Sequence, residues 1–324
     1  MRVRKNVVLL FSKPPVAGLV KTRLTTLKDG VFAPEVASAL YHCMLFDVVE
    51  ICCAALAQLE ERAASTPAAL AAAGVAAADA ERASAAFAGK SVSAASEGAG
   101  LAGAGAGAET VRDEYELVIS TTPASNVEVM RKLFEDAGTW PRELVFIADE
   151  GASFDEHYNH AFAQAWERGA DVVLSMGADM PALTVPDVVG GIEALHGLWE
   201  RPGGGVVLAP DQEMGVSLVG WTRETAFDHT GVFYNQEGLT VLPAYIAKAR
   251  ERNLPALYLP AVPDVDTMAD LMHNITLVEA LNYCAAFDGN TPPWRTADAL
   301  AQMGWNEVRV PPNDLRDPRD QIDV

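Results

Sequence analysis

Three charged segments in this 324-residue sequence sit where chemistry could be done, each directly after an apolar run. The first is "KPPVAGLVKTRL" (13–24), in which Lys13, Lys21 and Arg23 surround Gly18, with Lys28 close behind. A glycine giving backbone access among several cations suits a di- or triphosphate. Each charge-assisted contact there is worth about 1.5–3 kcal/mol where water is partly excluded. The spacing is not that of a Walker A loop, because Val20 precedes Lys21 and Pro15 stands where the earlier glycine belongs. Nor is it a G-x-G-x-x-G dinucleotide fingerprint.

The second segment, "VVLSMGADMPAL" (172–183), ends an apolar run with Asp179, and Pro181 stops the strand. A strand-end carboxylate opposite a phosphate loop can hold Mg²⁺ or Mn²⁺ against a nucleotide's phosphates. The third, "VPDVDTMADL" (262–271), places Asp264 and Asp266 after another apolar run, with Thr267 as candidate N-cap of the helix that follows. An acid at a helix start has an electrostatic reason of its own, which alone would account for Asp266. The two acids together with the basic first loop form the stronger pattern. His157 and His160 stand three apart beside Asp155 and Glu156. Without H-E-x-x-H or a neighbouring cysteine they are expected on an exposed helix face rather than on zinc. No G-x-S-x-G elbow or Cys/His signature supports covalent hydrolysis.

The elements that must position these residues alternate. "NVVLLF", "YELVIST", "ELVFIAD", "DVVLSMGAD", "GVVLAP", "GVSLVGW" and "PALYLPAV" read as strands. Between them run amphipathic segments of helical length. Pro34 opens the first, Ser125 with Glu128 three residues on is expected to form a capping box on the second, and Gly169 closes the third. The alternation predicts an α/β fold with a mostly parallel central sheet and helices on both faces. Ligands in such sheets lie beyond the carboxyl ends of the strands, where the three charged segments fall.

Lys and Arg number 24 against 44 Asp and Glu, a net charge of −20. That balance argues against a nucleic-acid surface and against a polybasic membrane contact. No run of 18 apolar residues is present, so no membrane span is expected. The charge is polarised: residues 1–28 carry seven cations and no acid, leaving 17 − 44 = −27 for the rest. "VVLLF" is too short for a signal-peptide core. Cys43, Cys52, Cys53 and Cys284 have no disulfide or metal spacing, which suits the cytoplasm.

The 50% hydrophobic content is inflated by residues 54–109, where 25 of 56 residues are alanine and 7 are glycine. The first half of this stretch favours helix, and the second half has little to bury, so it is expected to be a flexible insert. One domain is expected over 1–285, followed by a C-terminal extension, 286–324. Trp294 and Trp305 in that extension are expected to pack back on the core or to serve a homodimer contact, with the last dozen residues disordered.

"VVLLFSKPPVAGLVKTRL", "VVLSMGADMPAL" and "DVDTMADL" resemble, in order, the signature blocks of a bacterial family of glycosyltransferase-like proteins with the GT-A, nucleotide-diphospho-sugar transferase fold. "GADMP" is also similar to the strand-end motif of molybdenum-cofactor guanylyltransferases, which use the same fold. The resemblance covers about 6–28 and 112–285. It implies a GT-A-like domain and nucleotide binding by Lys13, Gly18, Lys21, Thr22 and Arg23. It further implies metal or diphosphate contact through Asp179, and less directly through Asp266. The implied activity is metal-dependent glycosyl transfer from a nucleotide-diphospho-sugar. The alternatives are nucleotidyl transfer to a small phosphorylated acceptor, and nucleotide binding without catalysis. Asp179, Glu213 and Asp266 are the candidate catalytic acids, Glu156 is a further candidate base, and the sequence does not choose among them. Two blocks depart from the family. "ASFDEHY" has Asp155 and His157 where Gly and Arg are usual, and "EMGVSLVGW" has Glu213 and Met214 where Asp and Gly are usual. The phosphate end is thus retained and the implied sugar or acceptor end altered.

Overall fold

A computed structural model describes residues 2–65 and 111–306. The remainder of the alanine-rich stretch and the last residues of the extension, including the expected disordered tail, lie outside the described residues.

Strand β1 (Arg2–Phe11) is an interior strand of the sheet. Val7 and Leu9 point to one face and Val8 and Leu10 to the other, and all four are fully buried. A strand apolar on both faces belongs inside a parallel sheet covered by helices. β1 pairs in parallel with β2 (Val111–Thr121) on one side and β4 (Val172–Gly177) on the other, and β3 (Leu144–Ala148) extends the β2 side. Beyond β4 the sheet turns mixed. β6 (Val216–Thr222) is antiparallel to both β4 and β5 (Val206–Pro210), while β7 (Ala256–Tyr258) is parallel to β5. The order is β3-β2-β1-β4-β6-β5-β7. The chain therefore winds outward from β1 to β3 and returns to the other side at β4, which makes the β1/β4 edge the topological switch point.

One face is covered by α1 (Pro34–Ala64), α2 (Asn126–Ala137) and α4 (Val185–Trp199). The other carries α3 (Phe154–Glu167) and α5 (Val241–Glu251). A smaller cluster joins the first loop and the start of α1 to α6 (Met268–Asp288) and α7 (Trp294–Gln302).

α1 continues through the start of the alanine-rich stretch to Ala64, in keeping with the helix preference of that half, because Ala55, Leu56 and Leu59 bury against the core. α6 runs through to Asp288 before Gly289, in the left-handed conformation, ends it. One expectation is corrected. Ser125 forms no capping box. Its own backbone is already helical, so its hydroxyl accepts nothing from the first turn. The boxes that do form are Thr184 with Asp187 and Thr267 with Asp270. α1 is long and apolar enough by composition to cross a membrane, but 72% of its apolar window is buried within the fold. The extension packs back, with Trp294 Nε1 donating to Glu50 Oε2 at 3.0 Å and Trp305 edge-on to Phe32.

The amino-terminal cations divide between the two ends of β1. Arg4 is buried and bidentate to Asp113 (2.6 and 2.9 Å), and Lys5 pairs with Glu116 at 3.5 Å. These are structural. Lys13, Lys21, Arg23 and Lys28 follow the carboxyl end of the strand.

Under the second face, His229 is fully buried among Tyr158, Phe162 and Trp221, with Asn159 Oδ1 3.1 Å from its Nδ1. Burial pushes this imidazole down to about 3, with Lys248 adding to the shift and Asp228 opposing it. The unfolded chain therefore takes up a proton near pH 6.5 that the folded chain refuses, and stability present above that pH is lost as pH falls towards 3. Replacing His229 by Phe removes this coupling. Chemical denaturation between pH 6.5 and 4 should show a shallower fall for His229→Phe, the difference approaching about 1.4 kcal/mol per pH unit.

Candidate active site

The loop after β1 reaches Lys21 through Gly18, whose φ of +77° needs a residue without a Cβ. Lys21 itself is left-handed (φ 46°, ψ 38°), which turns its side chain inward before the short 3-10 turn Thr22–Leu24 begins. The ammonium is almost wholly buried. It contacts Asp179 Oδ2 after β4, the Val265 carbonyl at 2.5 Å, and Asp266 Oδ1 at 3.3 Å. Burial opposes its charge, but Asp179 and Asp266 more than reverse that, and its pKa is raised. Arg23 bonds the outer oxygen of Asp266 at 2.9 Å.

The acids have backbone and side-chain contacts besides the lysine. A Cβ on Gly177 would lie 2.7 Å from Asp179 Oδ1, so the glycine two residues earlier lets this carboxylate fold back over the strand end. The 264–266 segment is tied to β4 by Val265 N donating to Asp179 O at 3.0 Å. Asp270, from the Thr267 capping box, also accepts from Asp266 N at 3.2 Å. Gln212 donates to Asp264 Oδ1 (2.8 Å) and Asp270 Oδ1 (2.9 Å) and clamps the two together. Burial, followed by the nearby Asp179, pushes Asp264 up to about 7; the Gln212 bond opposes this, and Asp266 and Asp211 reinforce it.

These residues form one side of a cleft of about 560 Å³ at the carboxyl ends of the strands, beside the switch point. The other side is made by β3 and α3. Asp149, at the end of β3, is buried and accepts from Ser120 Oγ at 2.7 Å. It also bonds His157 Nδ1 at 2.7 Å. Phe11 stacks on Tyr158 with ring centroids 3.8 Å apart, and Phe154, Phe233 and the largely exposed Tyr234 continue the aromatic wall. The Tyr158 phenol is raised by burial first, then by Asp179 and Asp149, so it lies within electrostatic reach of both sides.

Of the sequence-derived candidates, Lys13, Lys21, Asp179 and Asp266 come together in the cleft. Arg23 reaches it through Asp266, while Gly18 and Thr22 shape the loop. Glu213 stands apart, exposed on the β5–β6 turn, where its backbone N–H donates to Asp211 Oδ1 at 2.7 Å. Glu156 bonds the backbone of Ala152 at 2.7 Å. Met214, in place of the glycine usual in the resembled family, adopts φ +64°, the conformation that favours glycine. His160 accepts from Glu150 N at 2.9 Å, and among the described residues no group of three metal-ligating side chains forms. Asp149 is a residue that sequence reasoning passed over, although "ELVFIAD" ends a strand with an acid just as "VVLSMGAD" does.

Comparisons with known proteins place this geometry. Residues 109–236 match the family described as "uncharacterized protein conserved in bacteria" (DUF2064). No curated protein matches the sequence. A candidate nucleotide-diphospho-sugar transferase from Desulfovibrio desulfuricans G20 superposes with a TM-score of 0.58 at 22% identity, covering 92% of this chain and 95% of that one. The chain therefore has the GT-A, nucleotide-diphospho-sugar transferase fold, on a mixed but mostly parallel seven-stranded sheet. A cytidylyltransferase from Leptospira borgpetersenii serovar Hardjo-bovis covers 96% of this chain and 99% of its own, but at a TM-score of 0.39 and 9% identity it is too distant to inform the chemistry.

Removing the lysine charge leaves Asp179, Asp264 and Asp266 facing one another. Asp264, already raised to about 7, contributes stability at low pH that is lost as pH rises through 7. Lys21→Met should therefore destabilise the fold by roughly 2–4 kcal/mol at pH 7.5, below the full cost of an unpaired buried charge because Asp266 is half exposed. The loss should shrink at pH 5.5, where Asp264 is neutral. Denaturant midpoints of wild type and variant at the two pH values check this.

Proposed function

We propose that this protein is a metal-dependent glycosyltransferase that takes a nucleotide-diphospho-sugar donor. The observation that carries the reading is the convergence of Asp179 and Asp266 on a single cationic point, the Lys21 ammonium, at the switch point of a GT-A sheet. Two carboxylates from separate segments meeting at one charge are the hard-oxygen donor set that Mg²⁺ or Mn²⁺ takes when phosphates and water supply the remaining ligands. Asp179 and Asp266 would hold the ion, which when bound supplies neutralisation of the charge on the leaving diphosphate. With Asp179 and Asp266 so engaged, Lys21 would be available to bind the same phosphates. Lys13 projects from the same loop into the cleft and makes no ion pair among the described residues.

Charge distribution favours glycosyl over nucleotidyl transfer. Lys13 and Lys21 are the only Lys or Arg among the described residues lining the cleft, and the Lys21 ammonium is held on the Asp179 side. The far side offers the buried Asp149 carboxylate, His157 and aromatic rings. A phosphorylated acceptor there would meet that carboxylate, whereas a neutral hydroxyl compound would meet no such mismatch.

Thermal unfolding with a panel of nucleotide-diphospho-sugars and nucleoside triphosphates, with and without Mn²⁺, tests the reading. The expected result is a rise in Tm by a sugar nucleotide that depends on Mn²⁺ and is absent in Asp179→Ala. A metal-independent shift that survives Asp179→Ala would overturn the metal site. Stabilisation by triphosphates alone would favour nucleotidyl transfer.

A further inference from the structure

The far side of the cleft holds a second pair of groups with the geometry of a proton acceptor. Asp149 is fixed at both oxygens, Oδ2 by the Ser120 hydroxyl and Oδ1 by His157 Nδ1 at 2.7 Å. A carboxylate there accepts from Nδ1–H, so the neutral ring carries its lone pair on Nε2. Nε2 has no partner among the described residues, and the side chain lines the cleft with about a quarter of its surface exposed. His157 lies in the first turn of α3, fixed by Ser153 accepting from Glu156 N at 3.2 Å, so the imidazole sits on a rigid element. Phe154, Tyr158, Phe233 and Tyr234 form a wall beside it.

We propose that His157, oriented by Asp149, is the general base that takes a proton from a neutral hydroxyl acceptor lying against this aromatic wall. The inference rests on the glycosyltransferase reading. The acceptor O–H gives its proton to His157 Nε2 while its oxygen bonds to the anomeric carbon. The bond from that carbon to the diphosphate oxygen breaks, and its electron pair leaves with the nucleoside diphosphate. The imidazolium then returns the proton to solvent. Such a single displacement inverts the anomeric centre. His157 is the catalytic residue, and Asp149 a positioning residue that sets its tautomer.

The test uses the full chain with Mn²⁺ and UDP-glucose, UDP-galactose, UDP-N-acetylglucosamine and GDP-mannose. It reads nucleoside diphosphate release, first to water as the smallest hydroxyl acceptor. His157→Ala and His157→Gln should keep the donor's thermal shift, hold the donor KM within about threefold and lower kcat by 10²–10³-fold. The glutamine amide can still donate to Asp149 but cannot act as a base. Added imidazole should restore His157→Ala, with rates rising across methylimidazoles of increasing basicity, which a purely structural histidine would not show. Phenyl glucoside should accelerate release, and its 6-phosphate should not. Full activity in His157→Gln overturns the proposal while leaving the function intact, as does faster release with the phosphorylated acceptor. No release from any donor by the wild type overturns the glycosyltransferase reading itself, and the base assignment with it.

Discussion

A single buried ammonium organises this molecule. Lys21 joins the loop after β1 to Asp179 after β4 and to Asp266 before α6, partners 158 and 245 residues away along the chain. Burying a lysine is costly unless it is paired and hydrogen-bonded, and here two carboxylates and a backbone carbonyl supply that pairing. The reciprocal is equally important. Asp179, Asp264 and Asp266 crowd one strand end, and without a cation among them their repulsion would push the segments apart. The left-handed backbone at Lys21 and the fold-back of Asp179 over Gly177 are local accommodations to that contact.

The same contact sets the character of the acidic side of the cleft. The protein holds its own positive charge among these carboxylates, so the side is not a bare acidic cluster. The Asp264 carboxyl, raised to about 7, marks how much negative charge is concentrated there. The far side is built differently. Asp149 and His157 are one hydrogen-bonded unit set in an aromatic wall. One cleft thus has a side built on a paired ammonium and a side built on a carboxylate–imidazole pair among aromatic rings, and Tyr158 lies within reach of both.

Much of this was legible in the residues. Apolar runs bounded by Pro, Gly and Asp mark the strands, and the charged residues immediately after them mark the candidate cleft, because ligands in α/β sheets bind where strands end. Lys21 and Asp179 are legible that way. Thr267 is legible as a cap because it stands directly before a long helical segment, and the structure adds its partner Asp270. Ser125 failed as a cap: the spacing to Glu128 was right, but its backbone had already turned helical, and spacing does not report φ and ψ. Glu213 lies outside the cleft lining, since a strand-flanking acid can face the cleft or the solvent depending on the turn that carries it. The cleft position of His157 is not legible in its helix spacing, because its partner Asp149, although only eight residues away, belongs to a different element.

By itself the sequence determined the periodicities, and with them the alternation of strand and helix, the burial of β1 on both faces, and the chemical types available at each strand end. These depend on local sterics and on which side chains leave water. Only the tertiary structure decided which strand ends meet: that β4 returns beside β1, that β6 runs antiparallel, and that a lysine and two aspartates from three distant segments share one charge. Those outcomes depend on long-range pairing and on desolvation of charges, energies that exist only once the segments are packed together. The −20 net charge followed from counting residues, whereas its resolution into paired structural cations, a neutralised acidic cluster and an uncharged aromatic wall belongs to the fold.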